Sequence, residues 1–158
     1  TDAKIAITTQ FSRNGNLADA IKAYTLVSTA MFDAAISTWD TKFTHNLLRP
    51  ETFIRANIDS SWRTHIPTPQ HPSYTSGHSG FSTSAAEMLT DLYGSAPWID
   101  NTKGRRGFEA RAFPNFLAAA DEAGISRVYG GIHYAMDNDS GKLIGGCVAQ
   151  KIRARILL

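Results

Sequence analysis

Cysteine is almost missing from this chain. Cys147 is the only one among 158 residues, so no intrachain disulfide can form, and neither an oxidising nor a reducing compartment is demanded. No apolar run is long enough to span a membrane. Zinc-ligand spacing, a phosphate loop and a dinucleotide fingerprint are all missing. The charge is barely unbalanced, at +2 from 16 Lys+Arg against 14 Asp+Glu, and no basic run concentrates it. That argues against nucleic acid as a partner. The start, TDAKIAITTQ, lacks both a Met and signal-peptide character, which reads as a fragment or a processed chain. Strand-like alternation is missing too, so the expected fold class is all-α, a helical bundle.

What remains is enough for one core. Hydrophobic residues make up 42% and charged residues 19%, the profile of an ordinary globular domain. No repeat or linker divides it, so residues 1–158 read as a single helical domain. Asn16 is placed to cap a first helix. Leu17, Ile21, Tyr24, Val27, Met31 and Ala34 recur at helical spacing as its buried stripe, with the pattern continuing through Trp39 and Lys42 toward Arg49. Pro50 tolerates only an ending, a kink or a first turn. Residues 60–77, rich in Pro, Ser, Thr and Gly, read as a long loop of the functional kind. A second helix opens near His78 and stops at Gly94. Residues 94–107 form another loop. A third helix fits Phe108 to Ala123, bent at Pro114 and capped by Gly124. The last covers about Ser140 to Ile156, with Cys147 as a small buried residue.

Three stretches carry the chemistry: KFTHNLLRP from Lys42, PSYTSGH from Pro72, and SRVYGGIHYAMD from Ser126. They supply Lys42, Arg49 and Arg127 as cations, Ser76 and Gly77 as neutral donors, and His78 and His133 as imidazoles. Three fixed positive charges sharing a pocket require an anion to neutralise them. Lys42 and Arg49, seven apart, would share one face of a helix two turns apart. Ser-Gly-His leading into a helix is an anion cradle: Gly77 admits the backbone, and its N–H and the helix start face the ligand. Asp137, four residues after His133, can hold one ring nitrogen and make the other more basic. Gly130 and Gly131 would let the backbone pass close to the site. Each stretch alone is also what a solvated surface or a plain cap would show; their joint order is what carries weight.

K-x6-R-P, P-x3-S-G-H and S-R-x5-H-x3-D in this order resemble the superfamily that joins phosphatidic-acid-type acid phosphatases to vanadium-dependent haloperoxidases. The resemblance spans roughly Trp39 to Ile152. It implies an all-helical core and a pocket for vanadate or phosphate. By resemblance, Lys42, Arg49, Ser76, Gly77 and Arg127 bind the equatorial oxygens. His133 is the vanadium ligand, or the phosphorylated nucleophile of a phosphatase. His78 is the general acid/base. Thr75 departs from the family, which most often has Pro directly before Ser-Gly-His.

Trp39 and His71 would line a halide and peroxide pocket, as in the haloperoxidase branch. The second R-P pair of many phosphatases is missing after Arg49-Pro50, where Glu51-Thr52 follow. The resemblance therefore favours a haloperoxidase that takes hydrogen peroxide and halide. An acid phosphatase acting on a phosphate ester through a phosphohistidine is the alternative, and a non-catalytic oxyanion-binding domain the third reading. It also implies a secreted or periplasmic location, and a larger chain of which this is the C-terminal part. Stability would then depend on an upstream segment or a second copy.

Overall fold

The computed structural model describes residues 8–9, 15–104 and 107–156; of the start TDAKIAITTQ only Thr8 and Thr9 are among the described residues. From Leu17 onward, five helices and one short hairpin follow in order among the described residues: α1 (Leu17–His45), α2 (Pro50–Asn57), α3 (Gly77–Tyr93), β1 (Trp98–Asp100), β2 (Arg111–Phe113), α4 (Phe116–Tyr129) and α5 (Ala135–Ile156). The helical bundle is as expected. α3 is its centre and packs against α1, α4 and α5.

Local chemistry explains most boundaries. The Asn16 side chain accepts from the Asp19 N–H and opens α1, while Asn46 closes it in the left-handed region. Pro50 is the first residue of α2, where its missing N–H costs nothing. Ser76 caps α3, Gly94 follows its last residue, and the loop between α2 and α3 lies where the Pro-rich composition put it.

Five expectations need correction. The stripe on α1 was drawn too far round: its buried residues are Ala23, Leu26, Val27, Ala30, Ala34, Thr38 and Lys42, while Leu17 and Ile21 are exposed. Small residues rather than the largest ones face α3, because the helices approach closely. The third helix starts at Phe116, not Phe108. Pro114 disfavours a helical Phe113 before it, Asn115 caps the helix through the Ala118 N–H, and residues 111–113 pair antiparallel with 98–100. That pairing also turns part of the expected 94–107 loop into a strand. Gly124 lies inside α4 instead of capping it. A Cβ there would stand 2.2 Å from Asn138 Oδ1, so its role is close packing. Cys147 is exposed, beside a groove between α1 and α5 lined also by Asp33, Ile36 and Lys151.

The core joins Leu26, Val27 and Ala30 of α1 to Met88 and Leu89 of α3, Trp98, Phe116 and Ile152. Burying each large apolar side chain contributes about 1.5–3 kcal/mol. This cluster occupies one end of the bundle. The other end, where α1, α3 and α5 meet the long loop, is polar and holds the site.

A candidate oxyanion site

His133 precedes α5 by two residues, and Asp137 sits in the first turn of that helix. The Asp137 carboxylate, fully buried, gathers three donors on Oδ2: His133 Nδ1 at 2.8 Å, the Tyr134 N–H at 3.2 Å and the Ser73 hydroxyl. Burial alone would raise its pKa, but the hydrogen bonds from His133 and Ser73 prevail and hold it below the ordinary value. Asp137 is therefore ionised.

Arg49 fixes the other side of the ring. Its Nη1 donates to the Ile132 carbonyl at 2.7 Å and lies 3.1 Å from His133 Nε2. A guanidinium has no acceptor, so Nε2 is unprotonated and accepts from Arg49 on its lone pair, while Nδ1 carries the proton. This assigns the tautomer from both ends. Burial, with Arg49 and Lys42 adding to it, pushes the His133 pKa below its ordinary value against the pull of Asp137. The ring is thus neutral, with a basic nitrogen among cations.

Lys42 and Arg49 do not share a helix as expected. Asn46 ends α1 between them, and Arg49 becomes the N-cap of α2. They converge all the same through the long loop. Lys42 Nζ donates to the Pro72 and Ser73 carbonyls at 2.8 and 2.9 Å, and Arg49 Nε donates to the His71 carbonyl at 2.9 Å. Two of three ammonium donors are thereby engaged, and four of five guanidinium donors once the contact of Arg49 Nη2 with His71 Nδ1 is counted. Arg127, in the last turn of α4, is half-buried, and its Nε has no hydrogen-bond partner among the described residues. Burial lowers the pKa of Arg49 and of Arg127; Arg49 is further lowered by Arg127 and raised by Asp137.

Ser76 is fully buried at the N-cap of α3, with Gly77 behind it and His78 exposed in the first turn. The Ser76 N–H donates to the Asp137 carbonyl at 2.9 Å, which ties this helix mouth to His133. Thr75 is buried, follows a cis Tyr74–Thr75 peptide, and its hydroxyl is unpaired among the described residues. Gly130 and Gly131 serve the loop rather than the site. A Cβ at Gly130 would meet Ile66 at 2.6 Å, and Gly131, at φ +78°, lies under Trp62.

Trp39 and His71 do stand together at the rim, with ring centroids 5.2 Å apart. Lys42 Nζ lies 5.9 Å from the Trp39 ring, and His71 Nδ1 faces Arg49 Nη2 at 3.0 Å. Burial holds His71 below its ordinary pKa; the Pro72 carbonyl opposes this and the Lys42 and Arg49 charges add to it.

The sequence reading missed four residues. Phe81 stacks on Trp39 at 5.8 Å, and Ser73 holds Asp137. Ser79 and Asn138 bond behind Ser76. Ser73 was inside a quoted stretch and Asn138 directly follows Asp137, but only the chain's path shows that they meet.

Arg49 and Lys42 act on the His133 imidazole, Arg127 acts on Arg49 in turn, and one carboxylate, Asp137, is bonded within this network. That donor set suits a tetrahedral oxyanion. It does not suit a bare cation, and among the described residues no three His, Cys, Asp or Glu side chains converge as metal ligands. The unpartnered Arg127 Nε and the unprotonated His133 Nε2 fit vanadate or phosphate: Nε would donate to an oxygen, and Nε2, released from its hydrogen bond with Arg49, would offer its lone pair to the central atom.

Fold and side chains define a helical-bundle domain with buried cations beside an imidazole–carboxylate pair. The family model of the VCPO second helical-bundle domain matches residues 22–61 and 56–157, and the chain belongs to that family, within the vanadium haloperoxidase superfamily. A bacterial vanadium-dependent iodoperoxidase is similar at TM-score 0.91 and 41% identity, over 98% of this chain and 38% of that one. The holo and apo structures of a bacterial vanadium-dependent chloroperoxidase share the fold at TM-scores 0.70 and 0.68 and 19% identity. They are covered over 40% and 41% of their length, by 96% of this chain. The chain thus spans well under half of these solved relatives. No curated protein sequence matches it.

Proposed function

We propose that this chain carries the vanadate site of a haloperoxidase that oxidises halide with hydrogen peroxide to hypohalous acid. The observation that carries this is His133: its Nδ1 proton is held by buried Asp137, and its unprotonated Nε2 accepts from Arg49 beside Lys42. The 41% identity to an iodoperoxidase over nearly the whole chain supports it.

His133 Nε2 would ligate vanadium, with Asp137 fixing the tautomer and raising the basicity of that nitrogen. Lys42, Arg49 and Arg127 would neutralise the oxyanion, joined by the Ser76 hydroxyl and the Gly77 N–H at the start of α3. Bound vanadate supplies Lewis acidity toward peroxide without changing its oxidation state. Exposed His78, in the first turn of α3, would carry protons between solvent and the site. Lys42, with one donor left, would polarise oxygen next to it. Trp39, Phe81 and His71 form an aromatic wall suited to a weakly hydrated halide.

One feature favours phosphatase chemistry as the second reading. The same tautomer makes Nε2 a nucleophile toward phosphorus, with His78 protonating the leaving alcohol and then activating water. The protein is assayed with hydrogen peroxide, halide and a phenolic dye, with and without vanadate, and in parallel with p-nitrophenyl phosphate. Halogenation that needs vanadate and falls to background in His133→Ala is the expected result. Ester hydrolysis inhibited by vanadate would establish the phosphatase instead, and silence in both would leave an oxyanion-binding domain.

A further inference from the structure

Behind Ser76 lies a row of three buried side chains. Ser79 Oγ is 2.9 Å from Ser76 Oγ and 2.8 Å from Asn138 Oδ1, and the Ser79 N–H caps Ser76 Oγ at 3.3 Å. All three residues are buried. α4 comes so close that only glycine fits at 124, where a Cβ would stand 2.2 Å from Asn138 Oδ1 and 2.9 Å from Ser79 Oγ.

Proton counting makes this row directional. A hydroxyl donates one hydrogen bond and accepts two. When Asn138 presents Oδ1, Ser79 gives its proton to Asn138 and takes the proton of Ser76. The Ser76 hydroxyl is then turned inward. When the amide is reversed, Nδ2 donates to Ser79 and Ser79 donates to Ser76. Both acceptor positions of Ser76 are then filled, one by Ser79 Oγ and one by the Ser79 N–H, and its proton has to point away toward the anion site. In this structure Ser79 Oγ is the donor to Ser76 Oγ, so its one proton is used there and the row closes with the amide reversed, Nδ2 toward Ser79 and the Ser76 proton outward; the other end of the amide, 3.4 Å from Asp139 Oδ1, lies against an exposed side chain that can swing into solvent.

We infer that Asn138, acting through Ser79, is a positioning residue that decides whether Ser76 offers its proton to a bound oxyanion. The inference rests on the proposed function, in which Ser76 is one of the donors. It adds two residues that touch no ligand and sets the direction of a donor that the cations cannot replace.

Calorimetric binding of inorganic phosphate and of vanadate tests this on the parent protein, Asn138→Asp, Ser79→Ala and the double variant. A carboxylate can only accept, so Asn138→Asp holds the Ser79 proton and draws that of Ser76 inward. Affinity is expected to fall about tenfold or more, the loss of one hydrogen bond to a charged group. Ser79→Ala keeps the capping N–H and frees the Ser76 proton, so in that background Asn138→Asp should cost less than about threefold. Equal losses in both backgrounds would mean that the new charge acts through space, and the relay would be overturned. Asn138→Leu guards against misfolding by the buried charge. It leaves Ser79 only Ser76 to donate to, and should bind like the parent; weaker binding by a folded Asn138→Leu also overturns the relay. A parent protein that binds neither anion would sink the site reading and the relay with it.

Discussion

Lys42 is a fully buried lysine whose charge rests on two backbone carbonyls. Burial first, and then Arg49, lower its pKa from 10.5 to about 8, with Asp137 pulling the other way. The sign for folding follows. Between about 8 and 10.5 the unfolded chain holds a proton that the folded chain has released, so this group's contribution to stability rises with pH across that window. Anion binding runs the opposite way, because the deprotonated amine no longer attracts an anion. Sulfate, whose charge is constant over this range, is the suitable probe. Its affinity is expected to be flat below about pH 8 and to fall above it. In Lys42→Arg the fall should vanish, since a guanidinium stays charged throughout. An unchanged slope in that variant would assign the titration to another group.

α3 and α5 are joined through glycine. A Cβ at Gly141 would lie 2.5 Å from the Ser76 carbonyl and 2.8 Å from Ser79 Cβ; one at Gly145 would lie 2.6 Å from the Gly80 carbonyl. Gly141→Ala should therefore lower stability by about 1–3 kcal/mol in denaturant unfolding. Its folded fraction should also bind anion more weakly, because relief requires moving Ser76. Gly146→Ala, which meets nothing within 4 Å, is the control and should be neutral or slightly stabilising. Equal effects at 141 and 146 would show that the seam is not close-packed. These glycines also mark what was legible in the sequence. Caps and prolines act locally: the helix ends at Asn16 and Gly94 were read correctly, the opening near His78 was read within a residue, and of the three roles left open for Pro50 the first turn is the one found. The cations, Ser-Gly-His and His133-x3-Asp137 stood in the sequence as chemistry, and of them the fold links Arg49 to His133, His133 to Asp137, and the Ser76 backbone to Asp137. What was missed depends on approach between distant segments. The α1 face that is buried is the one with small residues, Gly124 packs instead of capping, and Ser79 meets Asn138 across two helices. No periodicity records such a meeting.

At the scale of the whole molecule, α1 is apolar on two sides. Its inner face closes the bundle with Ala23, Leu26, Val27 and Ala30. Its outer face exposes Leu17, Ile21, Phe32, Ile36 and Phe43 along almost all of a 29-residue helix. Residues 17, 21, 32, 36 and 43 fall within about a third of a turn of one another at 3.6 residues per turn. A helix on the surface of a finished globule keeps one polar side, so in isolation this chain presents an apolar stripe to water. Such a stripe should bind a hydrophobic dye and drive association as concentration rises. Phe32→Lys, Ile36→Lys and Phe43→Lys together should abolish both, read by dye fluorescence and by light scattering after size exclusion. The circular dichroism of the helices should stay the same, because exposed substitutions away from packed contacts change stability by about 0.5 kcal/mol or less each. Loss of helix in the triple variant would mean that the outer face already holds the fold together, and dye binding that survives would move the apolar surface elsewhere. Since the chain covers 38% of the iodoperoxidase, the same variants placed in a longer polypeptide give a sharper reading. Destabilisation there, without destabilisation of the isolated chain, would show the stripe to be covered in the complete protein.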